Sequence, residues 1–424
     1  MGNRTKIGII VLDNKIKDRL SRKTNFFDSL EYAGIKFIIS EINKKYELKY
    51  IAPPNINTVD FAIISLISYY DIINFVKAFH NQIIQSKIIV GGAGVLNIRL
   101  YKNLIYAACF GRGETLINDI LEGKEVENVW YNTDMEFKKI YKIGQKKHLI
   151  QLDNYKENNV GCINACFFCQ YKWKHETPKV KNYNSGQDDS EDMFLYFKWK
   201  NAEKRVITAI DGTMEITRKL INKPLSNQEI TEKLIQSYQN RAKNVMYVKV
   251  FNIVGYPWEN KELNFNELIK AVKAADKRNK EQSVWLKLSL NHFKPMPLTP
   301  MENEPVNLIN FRELLLKNNR LYIGNNFELT LLPYAASPIT ALEETLINRA
   351  YEKNYDNFVK VILSKKYMQL NSKKKIDVIL KYFGEGIAKY TENLPTNYIQ
   401  HPYSNFSKIK QKYYDKKMKQ RKGI

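Results

Sequence analysis

Cysteine is scarce in this chain, four residues in 424, and no apolar run is long enough to cross a bilayer. A transmembrane helix needs about 20 apolar residues, so no membrane-spanning segment is expected. The first residues, MGNRTKIGIIVLDNK, lack the apolar core and small-residue cleavage site of a secretory signal. They read instead as a first buried strand. A cytoplasmic location is the expectation, and a reducing compartment disfavours structural disulfides. Histidine is also sparse. What cysteine exists is concentrated: three of the four lie in GCINACFFCQ (161–170), as Cys162, Cys166 and Cys169. Clustered thiols in a reducing compartment point to metal or cluster ligation.

The charge balance is one-sided, with 67 Lys and Arg against 44 Asp and Glu, a net of +23. Such an excess can draw in nucleic acid by neutralising phosphates. A bias toward Lys, Asn, Ile and Tyr along the whole chain produces the same number without any such partner. Both readings stay open. The hydrophobic fraction of 44% suffices for sizeable cores in two or three domains.

Residues 1–125 alternate short apolar runs, KIGIIVLD (6–13), YELKYIA (46–52), DFAIISLI (60–67), KIIVGGAG (87–94) and YAACFG (106–111), with helically spaced segments. Continuous apolar strands separated by helices imply a parallel sheet covered on both faces, here a five-stranded doubly wound domain. The glycine turns GGAG (91–94) and GRGE (111–114) fall at carboxyl ends of strands, where such sheets bind ligands, although simple turns need glycine too. Residues 126–146 read as a linker. A second βα series follows over 147–337, with strands expected at HLIQLDN (148–154), RVITAID (205–211), VMYVKVFNIVG (245–255), VWLKLSLNHF (284–293) and FELTLLPY (327–334). This pattern implies a full or partial TIM-type (β/α) barrel. Residues 338–424 are expected to be a helical, basic extension, ending in a mobile tail or surface helix over 404–424.

The spacing of Cys162, Cys166 and Cys169 is C-x3-C-x2-C. On a helix the three side chains would share one face, so an apolar stripe is one reading. Zinc is another, but structural zinc sites take four ligands. Here the nearest histidine, His175, lies beyond Cys169, and Cys109 belongs to the first domain. Three thiolates can also hold three irons of a [4Fe–4S] cube and leave the fourth open.

With Phe168 before the last cysteine, the motif resembles the C-x3-C-x-(aromatic)-C signature of the radical SAM superfamily. VFNIVGYPWE (250–259), AIDGTMEITRKLINKPLSNQEI (209–230), LNHFKPMPLTPM (290–301) and ALEETLINRAYEKN (341–354) resemble later segments of that family in the same order. The likeness extends to members with an N-terminal cobalamin-binding domain. It implies that Cys162, Cys166 and Cys169 ligate a [4Fe–4S] cluster whose open iron binds S-adenosylmethionine. One electron, from a donor such as flavodoxin or ferredoxin, would then release a 5′-deoxyadenosyl radical. Phe168 would lie against the adenine, Asp211, Glu215 and Arg218 would meet the polar groups of S-adenosylmethionine, and the backbone at Gly255 would approach the adenine. Glu215 and Arg218, three apart, could equally be an ordinary helix ion pair.

The chain departs from the family in two places. Only 41 residues separate Cys169 from Asp211, and no Gly-Gly-Glu segment precedes Asp211, so a shortened barrel is expected. The D-x-H-x-x-G loop of cobalamin domains is replaced by Asp13-Asn14-Lys15-Ile16, with no histidine. SLIS (65–68) and Gly91-Gly92 stand where such domains touch the cofactor's tail. Cobalamin without a protein ligand and an empty domain are both open. Three functions remain: radical SAM chemistry with cobalamin-assisted methylation of an unactivated carbon, radical modification of tRNA or another nucleic acid without cobalamin, and a non-catalytic iron–sulfur protein. YKWKH (171–175) interleaves aromatic and basic residues in favour of the second.

Overall fold

The computed structural model describes residues 4–10, 12, 33–92, 94–95, 98–133, 138–139, 151–152, 155–156, 165–170, 173, 205–223, 225–239, 247–259, 264–278, 284–308, 319–332, 337–350, 352–389, 399–400 and 406–421. The runs of Ile, Val and Ala at the start form β1 (Lys6–Ile10), β2 (Glu47–Tyr50), β3 (Phe61–Ser65), β4 (Lys87–Gly91) and β5 (Ala107–Cys109). These five are parallel, and β6 (Val129–Tyr131) adds antiparallel to β5, giving the order β2-β1-β3-β4-β5-β6. Strand residues alternate between two cores. Ile7, Ile9, Ile63, Ile89 and Cys109 face α1 (Ala33–Glu41) and α3 (Gly113–Leu121). Ile10, Ala62, Ile64, Ile88 and Val90 face α2 (Tyr69–Phe79), through Phe75, Val76 and Phe79. The chain is thus a mixed α/β protein, and this sheet is covered on both faces, as continuous apolar strands require. The sixth strand lies inside the stretch read as linker, because a three-residue VWY run is too short to show a period.

A second sheet is built from β7 (Arg205–Ala209), β8 (Tyr247–Val254), β9 (Val284–His292), β10 (Arg320–Ile323) and β11 (Phe327–Leu331), in the order β7-β8-β9-β11-β10. All pairs are parallel except β10 with β11. Helix α4 (Glu215–Leu220) follows β7. Val248, Val250, Leu286, Leu288 and Leu329 pack one face against α5 (Asn227–Gln239) and α6 (Asn266–Arg278). The β10–β11 hairpin was not expected. Its turn at Gly324-Asn325-Asn326 is held by the buried Asp276 carboxylate, which accepts from the backbone N–H of Asn325, Asn326 and Phe327 at 3.1, 2.6 and 3.0 Å and from the Tyr322 hydroxyl at 2.9 Å. Among the described residues this is an open five-stranded sheet. Of the run read as the barrel's first strand (148–154), the described residues Gln151–Leu152 pair antiparallel with Tyr155–Lys156, and the other residues lie outside the described ones.

The helices after residue 337 return to the first sheet. Ile339, Leu342 and Leu346 of α7 (Pro338–Arg349) and Ile379 of α8 (Ser372–Phe383) share one core with Phe75 and Phe79 of α2. Buried Arg349 ties this layer to the loop after β9. Its Nη1 donates to Ile387 O and Lys389 O, and its Nη2 to Glu302 O and Glu304 O, at 2.6 to 3.0 Å. The basic tail forms α9 (Phe406–Arg421), and it is docked. Tyr413 is fully buried, and Lys417 Nζ lies 2.6 Å from both oxygens of the buried Glu304 carboxylate. No helix among the described residues is long and apolar enough to cross a membrane.

Candidate functional site

Parallel sheets present their ligands at the carboxyl ends of the strands. At that edge of the second sheet lie Asp211-Gly212 after β7, Gly255-Tyr256-Pro257-Trp258-Glu259 after β8, and His292-Phe293 at the end of β9. The cysteine loop packs against it. Phe167 N donates to Ile221 O at 2.9 Å, Met301 N donates to Phe167 O at 3.3 Å, and Gln170 Nε2 donates to Pro297 O at 3.1 Å. Phe167, Trp173, Ile221, Tyr256, Phe293, Met301 and Tyr413 form one apolar shell around it.

Cys166 and Cys169 sit on a single turn, with Cys169 N donating to Cys166 O at 3.3 Å and Trp173 Nε1 donating to the same carbonyl at 3.0 Å. Cys166 is buried and Cys169 half-buried, and neither is in a disulfide. Cys162 lies outside the described residues, as does the Asp13–Ile16 loop. Two thiols on one turn beside the carboxyl edge, one buried and one half-buried, suit a thiophilic metal or cluster. Phe168 is half-buried between the two cysteines.

The structure gives the remaining expected residues protein partners. Asp211 occupies the left-handed region (φ 54°), unusual outside glycine, and Lys223 Nζ contacts its Oδ2 at 2.9 Å in a buried pair. The Tyr256 hydroxyl donates to Asp211 O at 2.8 Å, and burial pushes that phenol far above its ordinary range. Glu215 accepts from Asn227 N at 2.7 Å and pairs with Lys219 at 2.7 Å, and these contacts hold its carboxyl below the usual value. Its i, i+4 partner is therefore Lys219, while Arg218 turns inward. Arg218 is fully buried, and burial lowers its guanidinium to about 10, still charged at neutral pH. Its Nε donates to Leu225 O and its Nη1 to Gly212 O, both at 2.7 Å, and its Nη2 donates to Asn227 Oδ1. Gly255 has φ 79°, and a Cβ there would meet His292 Nδ1 at 2.8 Å, so the imidazole fills that space.

Sequence reasoning missed three residues. Glu259 accepts from Gly255 N at 2.7 Å and Tyr256 N at 3.2 Å through Oε2, while its buried Oε1 has no hydrogen-bond partner among the described residues. Burial pushes its carboxyl up to about 7. His292 and Lys223 complete the set. All three lie in segments singled out by the resemblance, Glu259 in VFNIVGYPWE, Lys223 in AIDGTMEITRKLINKPLSNQEI and His292 in LNHFKPMPLTPM, but the sequence alone marks no role for any of them.

At the carboxyl edge of the first sheet, Leu66 N donates to Gly91 O and Gly94 N to Leu66 O, both at 2.7 Å. A Cβ on Gly92 or Gly94 would meet Leu66 O at 2.6 or 2.9 Å. These glycines are thus required by one loop touching the other, and the described residues there include no imidazole. That edge shows no fit to cobalamin beyond its place in the fold.

No family model matches this chain, and no curated protein matches it. Among solved structures, the cobalamin-dependent S-adenosylmethionine radical enzyme OxsB with aqua-cobalamin bound aligns over 91% of this chain and 64% of its own, at 11% identity and a TM-score of 0.29. The same enzyme with aqua-cobalamin and S-adenosylmethionine bound aligns over 97% and 61%, at 11% identity and a TM-score of 0.27. The chain spans less than two thirds of the length of either structure.

Proposed function

We propose that this chain is a radical SAM-type enzyme in which Cys162, Cys166 and Cys169 hold a [4Fe–4S] cluster. The observation that carries the reading is the Cys166–Cys169 turn seated, in an aromatic shell, against the Gly255–Glu259 loop at the carboxyl edge of a parallel sheet. When bound, the cluster supplies the electron that splits the sulfonium of S-adenosylmethionine. The residues of this chain do the rest. Phe168 offers an aromatic face on the cysteine turn. Phe167, Trp173, Tyr256 and Phe293 exclude water. Asp211 and Arg218 fix the loops around Gly212 through Lys223 and the backbone, and Glu259 holds the Gly255–Tyr256 amides. The chemistry needs an external one-electron donor of the flavodoxin or ferredoxin type.

Anaerobic reconstitution tests this. The expected result is about four irons per chain, a spectrum that changes with S-adenosylmethionine, and release of 5′-deoxyadenosine under reduction. Cys166→Ala should lose the cluster, and Cys109→Ala, altered in the first sheet, should keep it. A full cluster in the Cys166 variant would overturn the assignment.

A further inference from the structure

The cysteine turn has little regular structure of its own, and ordering such a segment costs about 1–2 kcal/mol of backbone entropy per residue. Much of what offsets that cost comes from α9, some 240 residues later in the chain. Its inward stripe, the buried Tyr413 and Lys417 flanked by the half-buried Phe406, Ile409, Lys410 and Lys416, recurs at helical spacing. The Tyr413 ring meets Phe167 edge-on at 5.5 Å, and Phe406 meets Trp173 at 6.4 Å. Phe167 and Trp173 themselves stack at 6.4 Å, Phe167 lying between the two thiols in sequence and Trp173 following them.

Lys416 adds a polar relay. Its Nζ lies 5.5 Å above the Phe167 ring and 3.2 Å from Asn222 Oδ1, and Asn222 Nδ2 donates to Ala165 O at 3.0 Å. Ala165 is the residue immediately before Cys166. The third side is closed by the loop after β9. Met301 N donates to Phe167 O, and the neighbouring Glu302 and Glu304 take Lys410 at 2.9 Å and Lys417 at 2.6 Å. Cysteine turn, loop and helix therefore hold one another.

We propose that α9 is the retaining wall of the cysteine turn, and that Tyr413 and Lys416 are positioning residues for Cys166. The wall stands on the contacts above; only its service to a cluster rests on the proposed function.

The test is pulsed alkylation of the full-length, metal-free protein with N-ethylmaleimide, read peptide by peptide. Cys109, buried in β5, reports global unfolding in the same molecule. Tyr413→Ala should speed modification of Cys166 by about tenfold or more, because a lost ring contact lowers the turn's opening free energy. Tyr413→Phe should retain the wild-type rate, and Lys416→Met should speed it by about threefold. If Tyr413→Ala also exposes Cys109, the half-buried Lys416 decides. Cys166 rates within about twofold of wild type in every variant that keeps Cys109 protected would overturn the proposal. The same variants are then reconstituted, and the resonance signal of the reduced cluster should change in Lys416→Met. Wild-type protein that binds no iron would sink the functional reading and leave the alkylation result standing; unchanged thiols in a protein that does bind iron would do the reverse.

Discussion

Replacing Arg218 by alanine separates a residue that grips a ligand from one that grips the fold. The guanidinium is fully buried and donates to Leu225 O and Gly212 O at 2.7 Å and to Asn227 Oδ1. Truncation leaves two buried carbonyls and the half-buried Asn227 Oδ1 without that partner, each buried acceptor costing about 1–3 kcal/mol, and opens a cavity. It also removes the cation's attraction for the Glu267, Glu215 and Glu229 carboxylates, which keep their other partners. Since these losses overlap, the expected cost is about 3–5 kcal/mol, near the upper end for single substitutions. Arg218→Lys keeps the charge but cannot reach three diverging acceptors, and should cost about half as much. Urea unfolding of the metal-free protein is the assay. Fluorescence of Trp258 serves as the local probe, because its Nε1 donates to Thr217 Oγ1 at 3.3 Å, one residue from Arg218. The resemblance alone implies the opposite pattern, an intact fold with S-adenosylmethionine binding weakened by about 1.5–3 kcal/mol. Stability within about 0.5 kcal/mol of wild type, together with such an affinity loss, would refute the brace.

Glu259 makes stability depend on pH, since burial raises its folded-state value from 4.5 to about 7. The folded protein then holds a proton that the unfolded chain has lost, so this contribution is full below about pH 4.5 and fades toward about pH 7. Glu259→Gln should flatten a fall on the order of 2–3 kcal/mol across that window, read from urea midpoints at pH 5 to 8. Lys417→Met leaves the buried Glu304 carboxylate without its cation and should cost about 3–5 kcal/mol; adding Glu304→Gln should recover most of it in thermal melts. Gly255→Ala places a Cβ against His292 at a φ of 79° and should cost about 2 kcal/mol or more, part of it regained with His292→Ala.

The strands were legible wherever apolar residues ran unbroken. KIGII, FAIIS and KIIVG in the first sheet and RVITA and VKVFNIV in the second carry β-branched residues, while WLKLSLNH shows the alternation of apolar and polar residues that also marks a strand. The three-residue β6 and the Asp276-anchored hairpin escaped because one is too short to show a period and the other depends on a carboxylate 48 residues before its turn. The tail illustrates the opposite error. Its lysines dominate the composition and suggest a solvated or nucleic-acid-binding segment, yet the aromatic stripe of Phe406 and Tyr413 sets its buried face. Local charge counts cannot show that Glu302 and Glu304 wait in the second domain.

Residue chemistry and spacing were enough to establish a mixed α/β protein with parallel-dominated strands and to single out a thiol triad with an aromatic neighbour. These depend on contacts within a few residues, which the order of the chain records directly. The partners of Arg218, Asp211 and Gly255 depend on backbone carbonyls and side chains brought together only by folding. Arg218 and Glu215, three apart, read on paper as an ion pair. The fold sends Glu215 to Lys219 and turns Arg218 inward to carbonyls, because a buried guanidinium needs more acceptors than one half-buried carboxylate can supply. Only the tertiary structure makes that choice, and with it sets the last helix of the chain against the cysteine turn.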